Sequence, residues 1–387
     1  MADIFVTNEE YLERIGKVQA KLRELDLDAA IVYANSCTYE NLRYLTGMWP
    51  LFERGGLCIP REGKAVQLIG AEAPGLAKET CLGDSYMILS EFGHTFPMKW
   101  KGAEYKDFNA LFDQVSNGKG VRRVGLTDLS ITPYETYVNI QKALAPGGEI
   151  VDIAQTLLDI RRIKSEKEID LMRRANLINE KVFEEFLGKV KPEMTEYQAQ
   201  GLIVGGMYEH GGEGESFPTL LYAGKRTLNQ IGRGTHTPLG TNRLIGCDFG
   251  TILGTYASAY SRPFMFGKMP QKMKDEINFV IDLHLKVVNE WVRPGVHMKD
   301  IQAKYNEAFE KAGYGYPPAG ASHCIGIFEC EPPLMSQGGG ILEENMTLAA
   351  DHFFKSAEWG FRFEDCYRVT ATGAEMFTGK FLNPIEL

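Results

Sequence analysis

Apolar residues recur along the first half of the chain at spacings typical of helices and of strands. In residues 8–25 they fall three or four positions apart, which predicts an amphipathic helix. Short apolar runs then predict buried strands at Ala29–Tyr33, Gly56–Pro60, Ala65–Leu68 and Val124–Leu126. Strands that alternate with helices predict an α/β layer for roughly the first 150 residues.

A strong helix signal near residue 165 divides the chain. Ser165 and Glu168 have the spacing of a capping box, and the helical pattern that follows them ends at Pro192. We therefore expect a first domain over residues 1–160 and a second domain over residues 161–387.

The second domain has longer helices and more strands. Helices are expected at Glu196–Glu209 and, in two pieces, over residues 270–313. Strand-like segments lie at Leu220–Tyr222, Leu244–Phe249 and Thr255–Tyr260. Helices packed around a curved antiparallel sheet, an α+β domain, fit this pattern.

Composition narrows the function classes. The formal net charge of −9 and the pI of about 5.5 argue against a nucleic-acid or anionic-membrane partner, because both need clustered Lys and Arg. Seven cysteines without a CxxC pair are typical of free thiols in a reducing compartment. With no secretory signal pattern and no apolar run of about 20 residues, the sequence predicts a cytoplasmic protein.

Four ionisable residues lie in apolar, strand-like surroundings: Asp248, His323, Asp351 and Glu364. A carboxylate in a buried strand is costly unless it is paired or coordinates a metal. Each of these residues alone is as well explained by a structural hydrogen bond. Together they indicate a functional site.

At these residues the chain resembles the creatinase/aminopeptidase P/prolidase family, whose catalytic domain has the pita-bread fold. The matching motifs occur in order along nearly the whole chain: Asn41–Gly47, Arg161–Ser165 with Glu168, His236 before Pro238, Asp248–Gly250 with Tyr256 and Arg262, His323–Gly326 with Glu331, Met346 with Asp351, and Gly360–Asp365. The resemblance implies an α/β N-terminal domain, an α+β pita-bread C-terminal domain and a homodimer.

The resemblance also implies a metal site, from which this sequence departs. Metal-dependent relatives hold two divalent ions with two Asp, one His and two Glu, a set that suits Mn, Fe, Co or Zn. Here the second Asp, expected eleven residues after Asp248, is Ala259. Asp351 stands in place of a Glu, and Cys330 in place of a second His. A two-metal site is therefore broken.

Three explanations stay open at this point. The protein is a metal-free member, as creatinase is; or it binds a single metal through His323, Asp351 and Glu364; or an aspartate at position 259 has been replaced to trap a substrate. The first explanation is favoured, and it predicts that no cofactor is needed.

Site roles follow from the resemblance to creatinase. His236 is the predicted general acid/base, because an imidazole titrates near neutral pH. His323 and Glu364 are predicted to bind or polarise the scissile group. Phe52 and Arg54 resemble the creatinase pair that enters the partner's active site, where the Arg holds the substrate carboxylate.

The predicted substrate-binding set is completed by three motif residues, Tyr256, Arg262 and Glu331. Creatinase has a carboxylate near the position of Ser261, and its absence argues against creatine itself as the substrate. The main hypothesis is therefore a creatinase-like hydrolase that cleaves a C–N bond in a small, nitrogen-rich, carboxylate-bearing metabolite.

Three alternatives remain. The first is a metal-dependent X-Pro dipeptidase or aminopeptidase, which in this interpretation needs a native Asp at position 259. The second is a lyase of the same fold that acts on a dimethylsulfoniopropionate-like substrate. The third is a binding protein that has kept the pita-bread fold without catalysis.

Overall fold

The computed structural model describes residues 6–315, 317 and 319–387. The described chain forms two compact units, Val6–Arg161 and Arg162–Leu387. Among the described residues, no helix combines the length and the apolar character needed to cross a membrane.

The N-terminal unit is built on a mixed six-stranded sheet with the strand order β4-β3-β2-β1-β5-β6. The β1/β2 and β2/β3 pairs are antiparallel, whereas β3/β4, β1/β5 and β5/β6 are parallel. The strands are β1 Ala29–Ala34, β2 Gly55–Pro60, β3 Val66–Ile69, β4 Tyr86–Ile88, β5 Arg123–Leu126 and β6 Glu149–Asp152.

Helices cover this sheet because each presents one apolar side. In the first helix Ile15, Val18 and Leu22 repeat at helical spacing and are all buried, and Thr7 caps its start by accepting a hydrogen bond from the backbone N–H of Glu10. The helices are α1 Asn8–Glu24, α2 Glu40–Thr46, α3 Pro74–Lys78, α4 Phe108–Ser116, α5 Tyr134–Ala143 and α6 Ala154–Arg162.

The C-terminal unit is built on a ten-stranded sheet whose main path is β12-β11-β13-β14-β10-β8-β7. Every neighbouring pair on that path is antiparallel. The strands are β7 Gly214–Ala223, β8 Leu244–Leu253, β9 Tyr256–Ala257, β10 Tyr260–Met265, β11 His323–Cys324, β12 Glu331–Leu334, β13 Thr347–Lys355, β14 Gly360–Val369, β15 Ala374–Met376 and β16 Ile385–Glu386.

Four helices bury one face of this sheet. They are α7 Glu166–Lys189, α8 Glu196–Glu209, α9 Gln271–Lys286 and α10 Met298–Lys311. Apolar side chains of β8 and β14, such as Cys247, Phe249, Phe361 and Phe363, belong to the cores that these helices complete. Because side chains alternate between the two faces of a strand, Asp248 and Glu364 must point to the opposite face.

The elements agree with the sequence patterns except at one segment. The pattern predicted a strand-like segment over Thr255–Tyr260, and only part of it is strand. Gly254 and Thr255 both have positive φ and form a turn, β9 lasts two residues, and β10 begins only at Tyr260. Ser258 lies between β9 and β10, and its side chain forms hydrogen bonds with the backbone N–H and carbonyl groups of Thr251.

The start of α7 provides a test of the capping argument. Ser165 Oγ accepts from Glu168 N while Glu168 Oε2 accepts from Ser165 N. We expect Ser165→Ala to lower the free energy of unfolding by about 1 kcal/mol because it removes one half of this box. Urea denaturation measures this loss. Ser165→Asp keeps an acceptor and adds a favourable charge at the helix start, so it serves as the control; equal losses in both variants would contradict the argument.

Candidate functional site

Four neighbouring strands place polar side chains in one line across the open face of the C-terminal sheet. Asp351 lies opposite Glu364, Glu364 opposite Ser261, and Ser261 opposite Asp248. Directly opposed residues of antiparallel strands share a face and lie about 5 Å apart. We call these four residues the carboxylate row. Strand register alone therefore brings together three acids that are far apart in sequence.

His323 reaches the row from the neighbouring strand β11. Its Nδ1 lies 3.0 Å from the carbonyl oxygen of Cys324, which fixes the ring and turns Nε2 toward the acids. That Nε2 lies 3.7 Å from Glu364 Oε1, 3.9 Å from Asp351 Oδ2 and 3.2 Å from Glu329 Oε1. The structure thus brings together all four predicted metal-site residues: His323 contacts Asp351 and Glu364 directly, and Asp248 stands in the same row of side chains.

Arg362 supplies positive charge at the same place. It stands two residues before Glu364 on β14, so its side chain shares the open face. Arg362 Nη1 lies 3.2 Å from Asp351 Oδ2 and 3.4 Å from Asp248 Oδ2. The guanidinium therefore holds these two acids on one side of the site.

Even so, several buried oxygens of the row accept no hydrogen bond from any described residue. They are both carboxylate oxygens of Asp248, both of Glu364, and Oδ1 of Asp351. Asp248 and Glu364 are almost completely buried, with 3% and 0% exposure. Buried acceptors without a partner cost free energy, and a bound cation would remove that cost.

The closely spaced carboxylates shift the pKa values of the ionisable groups in the site. Burial, and then repulsion from Asp351 and Asp248, raise the pKa of Glu364 well above its usual range. Burial alone would lower the pKa of His323, but the hydrogen-bonding side chains of Cys330 and Glu329 outweigh it and raise that pKa. The site is rich in negative charge and favours positively charged occupants.

A pocket of about 440 Å³ opens onto this cluster. His323, Glu329, Cys330, Asp351 and Arg362 form its polar floor. Its other walls consist of Gln230, Ile231, Gln302, Pro317, Ala319, Gly320, Ser322, Leu334 and Ser336. The volume is that of a small-molecule site, for which roughly 300–1,000 Å³ is usual.

The donor set fits one divalent ion better than two. His323, Asp351 and Glu364 each offer a ligand atom, and these atoms all lie within 4.8 Å of one another. Position 259, where the second Asp of a two-ion site would stand, is a fully buried alanine whose methyl group cannot act as a ligand. The residues present therefore suit a single-ion site and lack a ligand needed for a second ion.

His236, the predicted general acid/base, is not among the residues that line this pocket. Its ring is exposed and packs edge-on against Tyr197 of α8, with ring centroids 5.1 Å apart. It lies in the connection between β7 and β8, and Gln230 and Ile231 of the same connection do line the pocket. Its catalytic role therefore stays a prediction.

Three predicted substrate-binding residues are buried in internal contacts. Tyr256 Oη donates to Glu168 Oε1 at 2.6 Å. Arg262 Nη2 contacts both carboxylate oxygens of Asp365 at 2.8 Å, and neither side chain is exposed. Glu331 Oε1 accepts from the backbone N–H groups of Ile327 and Phe328 and so shapes the loop before β12. None of the three lines the pocket.

The remaining two, Phe52 and Arg54, belong to the N-terminal unit. Phe52 is 79% exposed. Arg54 is partly buried, and its Nη1 donates to the carbonyl oxygen of Gly93 at 2.9 Å. Both stand just before β2, as expected.

Sequence reasoning left Arg362 and Glu329 out of the site. Arg362 had a usable signal, because a residue two positions from Glu364 on a strand must share its face. Glu329 had none, since it lies in the irregular connection between β11 and β12 and reaches His323 only through the path of that loop.

The buried Arg262–Asp365 pair gives a test of structural against functional roles. We expect Arg262→Met to lower the free energy of unfolding by about 3–5 kcal/mol because it removes the buried guanidinium that pairs with Asp365 and leaves that carboxylate to the Thr378 hydroxyl and the His284 ring. Denaturant unfolding measures the loss, and the double variant Arg262→Met/Asp365→Leu should recover part of it. A higher KM with unchanged stability would instead restore a substrate-binding role for Arg262.

Comparison with known proteins places this geometry in a family. Residues 170–371 match the model of metallopeptidase family M24, and residues 14–163 match that of the creatinase/prolidase N-terminal domain. An uncharacterized peptidase of Bacillus subtilis, YqhT, is 25% identical over 374 residues, which cover 94% of this chain and 97% of the relative.

Solved structures share the fold over almost the whole chain. The Xaa-Pro dipeptidase from Bacillus anthracis superposes with a TM-score of 0.82 at 21% identity and covers 97% of this chain and 100% of its own. The prolidase from Pyrococcus horikoshii gives 0.81 at 22% identity, with coverages of 95% and 99%. The two-domain pita-bread architecture expected from the sequence is confirmed. The expectation that the protein is a hydrolase acting on C–N bonds is confirmed as well. The chain belongs to the metallopeptidase family M24.

Proposed function

We propose that this protein is a single-metal peptidase that hydrolyses the C–N bond of a short peptide with a free carboxylate, with Xaa-Pro dipeptides as the first substrates to test. The family match and the peptidase relatives support this peptidase alternative better than the creatinase-like hypothesis. The native aspartate at position 259 that the alternative seemed to need is not required if one ion is enough.

The observation that carries the proposal is the set of buried oxygens without a hydrogen-bond partner around His323 Nε2. Glu364 provides two of them, and its Oε1 lies 3.7 Å from that nitrogen. Asp351 provides its Oδ1, while its Oδ2 lies 3.9 Å from the nitrogen and contacts Arg362. Asp351 lines the pocket, and Glu364 lies directly opposite it on β14. A neutral imidazole and carboxylates are ligands that divalent transition metals accept. His323, Asp351 and Glu364 would hold the ion, which supplies Lewis acidity at the scissile carbonyl.

Residues of the chain itself position the reacting groups. The Cys324 carbonyl fixes the His323 ring, and Arg362 keeps the carboxylates of Asp248 and Asp351 oriented from the other side. Such prior orientation lowers the entropic part of the activation barrier. The apolar walls, among them Ile231 and Leu334, would accept a side chain or a proline ring and exclude water.

Homodimerisation is part of the proposal. Phe52 and its neighbour Leu51 are 79% and 70% exposed close to Arg54, so this loop offers an apolar surface that a partner subunit would cover. In a dimer these two residues would complete the site of the partner subunit and hold the substrate carboxylate. All seven cysteines are free thiols, which supports a reducing, cytoplasmic location.

Metal removal tests the proposal directly. We expect one divalent ion per chain in protein purified without chelator, and loss of Xaa-Pro dipeptide hydrolysis after dialysis against a chelator, with recovery on adding Zn²⁺, Mn²⁺ or Co²⁺. We expect His323→Ala to lower kcat/KM by at least about a hundredfold, since even an indirect partner of a metal ligand is worth up to that factor. Elemental analysis and a dipeptide hydrolysis assay measure both effects.

The creatinase-like hypothesis predicts the reverse pattern, so His236 separates the two functions. His236→Ala should leave turnover intact in the single-metal peptidase, because the ring lies against Tyr197 and outside the pocket lining. Full activity without metal, together with loss of activity in His236→Ala, would overturn the peptidase proposal in favour of metal-free hydrolysis.

Restoring the missing carboxylate tests the single-ion stoichiometry. Ala259 is fully buried and stands directly before β10, two positions from Ser261 of the carboxylate row. We expect Ala259→Asp to bind two ions per chain where the unchanged protein binds one. Ala259→Asn matches its size without the charge and should stay at one. Two ions bound by the unchanged protein would contradict the single-ion site.

A further inference from the structure

Cys330 gives the pocket a ligand of a different chemical kind. It lines the pocket together with His323, is only partly exposed, and contributes to the raised pKa of that imidazole. Its thiol, His323 and Glu329 form a second group whose possible ligand atoms all lie within 4.8 Å of one another. Both this group and the group formed with Asp351 and Glu364 contain His323.

We propose that the Cys330 thiolate is itself a ligand of the ion bound at His323, so that the site selects zinc-class metals over manganese and magnesium. The proposal rests on the single-metal function above and specifies its metal. It makes the two groups one site in which His323 is the shared ligand, Asp351 and Glu364 add carboxylates, and Cys330 adds a thiolate.

The geometry around the shared nitrogen supports this arrangement. Around a tetrahedral ion with bonds of 2.0–2.3 Å, neighbouring ligand atoms lie roughly 3–4 Å apart. His323 Nε2 lies 3.2 Å from Glu329 Oε1, which belongs to the Cys330 group, and 3.7 Å from Glu364 Oε1, which belongs to the carboxylate row. An ion close to this nitrogen is therefore within reach of donors from both groups.

The missing carboxylate at position 259 makes a further donor chemically useful. With Ala259 in place, a bound ion has one anionic ligand fewer than a bridging aspartate would provide. A thiolate restores a negative charge and adds a soft donor. Soft thiolate donors favour zinc, whereas manganese and magnesium prefer oxygen ligands.

Cobalt substitution provides the test, because thiolate ligation of Co²⁺ produces an intense near-ultraviolet charge-transfer band that oxygen and nitrogen ligands do not. We expect protein that is stripped with a chelator and reloaded with one Co²⁺ per chain to show this band together with visible ligand-field absorption. Cys330→Ser should lose the band and keep the visible absorption. Cys37→Ser, which removes an exposed thiol in the N-terminal unit, should keep both.

Metal competition provides a second readout. We expect Cys330→Ser to weaken Zn²⁺ binding by at least about tenfold and to change Mn²⁺ binding little. Tenfold is the lower end of the loss in metal affinity seen when a residue that hydrogen-bonds to a metal ligand is removed. Bound Zn²⁺ should also protect Cys330 of the unchanged protein from alkylation, as mass spectrometry of the labelled peptide would show. This measurement needs no variant and so does not depend on how Cys330→Ser folds.

The outcomes separate this inference from the proposed function. Bound Co²⁺ with visible absorption but no charge-transfer band would overturn thiolate ligation and leave the single-metal peptidase standing. Equal losses of Zn²⁺ and Mn²⁺ affinity in Cys330→Ser would also overturn the selectivity. Protein that binds no divalent ion at all would overturn both.

Discussion

Repulsion among buried carboxylates is the constraint on which the site depends. Asp248, Asp351 and Glu364 lie on β8, β13 and β14 with their side chains on one face of the sheet, where the low dielectric strengthens every charge–charge interaction. Arg362 compensates part of this charge through Asp248 and Asp351. Glu364 is left with two buried oxygens and His323 nearby. A fold that keeps such an arrangement gives up stability for a strong preference for a cation.

Much of the architecture could be predicted from the sequence because it depends on local patterns. The capping box at Ser165 and the helical repeat after it fixed the start of α7, and alternating apolar runs gave most central strands. Asp248, His323, Asp351 and Glu364 were found because charged residues in apolar strands are rare without a reason. The error at Thr255 arose from a turn with positive φ, which hydrophobic periodicity does not show.

The residue roles were harder to predict because they depend on how distant segments meet. His236 stands at a fitting position in the sequence, but its loop packs on Tyr197. Arg262 also looked available, although the strand alternation that sends Ser261 to the open face sends Arg262 to the opposite one, where Asp365 neutralises it. Where the creatinase-like hypothesis and the peptidase alternative diverge, the family match and the peptidase relatives favour the peptidase.

The carboxylate row also ties the chemistry to sheet register. A shift of one residue between β13 and β14 would move Glu364 away from Asp351 and bring the face of Asp365 and Phe363 into line with it. No gradual loss of the site is possible by such a slip, because each step exchanges the polar face for the apolar one. Molecules with a shifted register should therefore be inactive rather than weakly active. The specific activity of a preparation would then be proportional to the fraction of molecules with the native strand register.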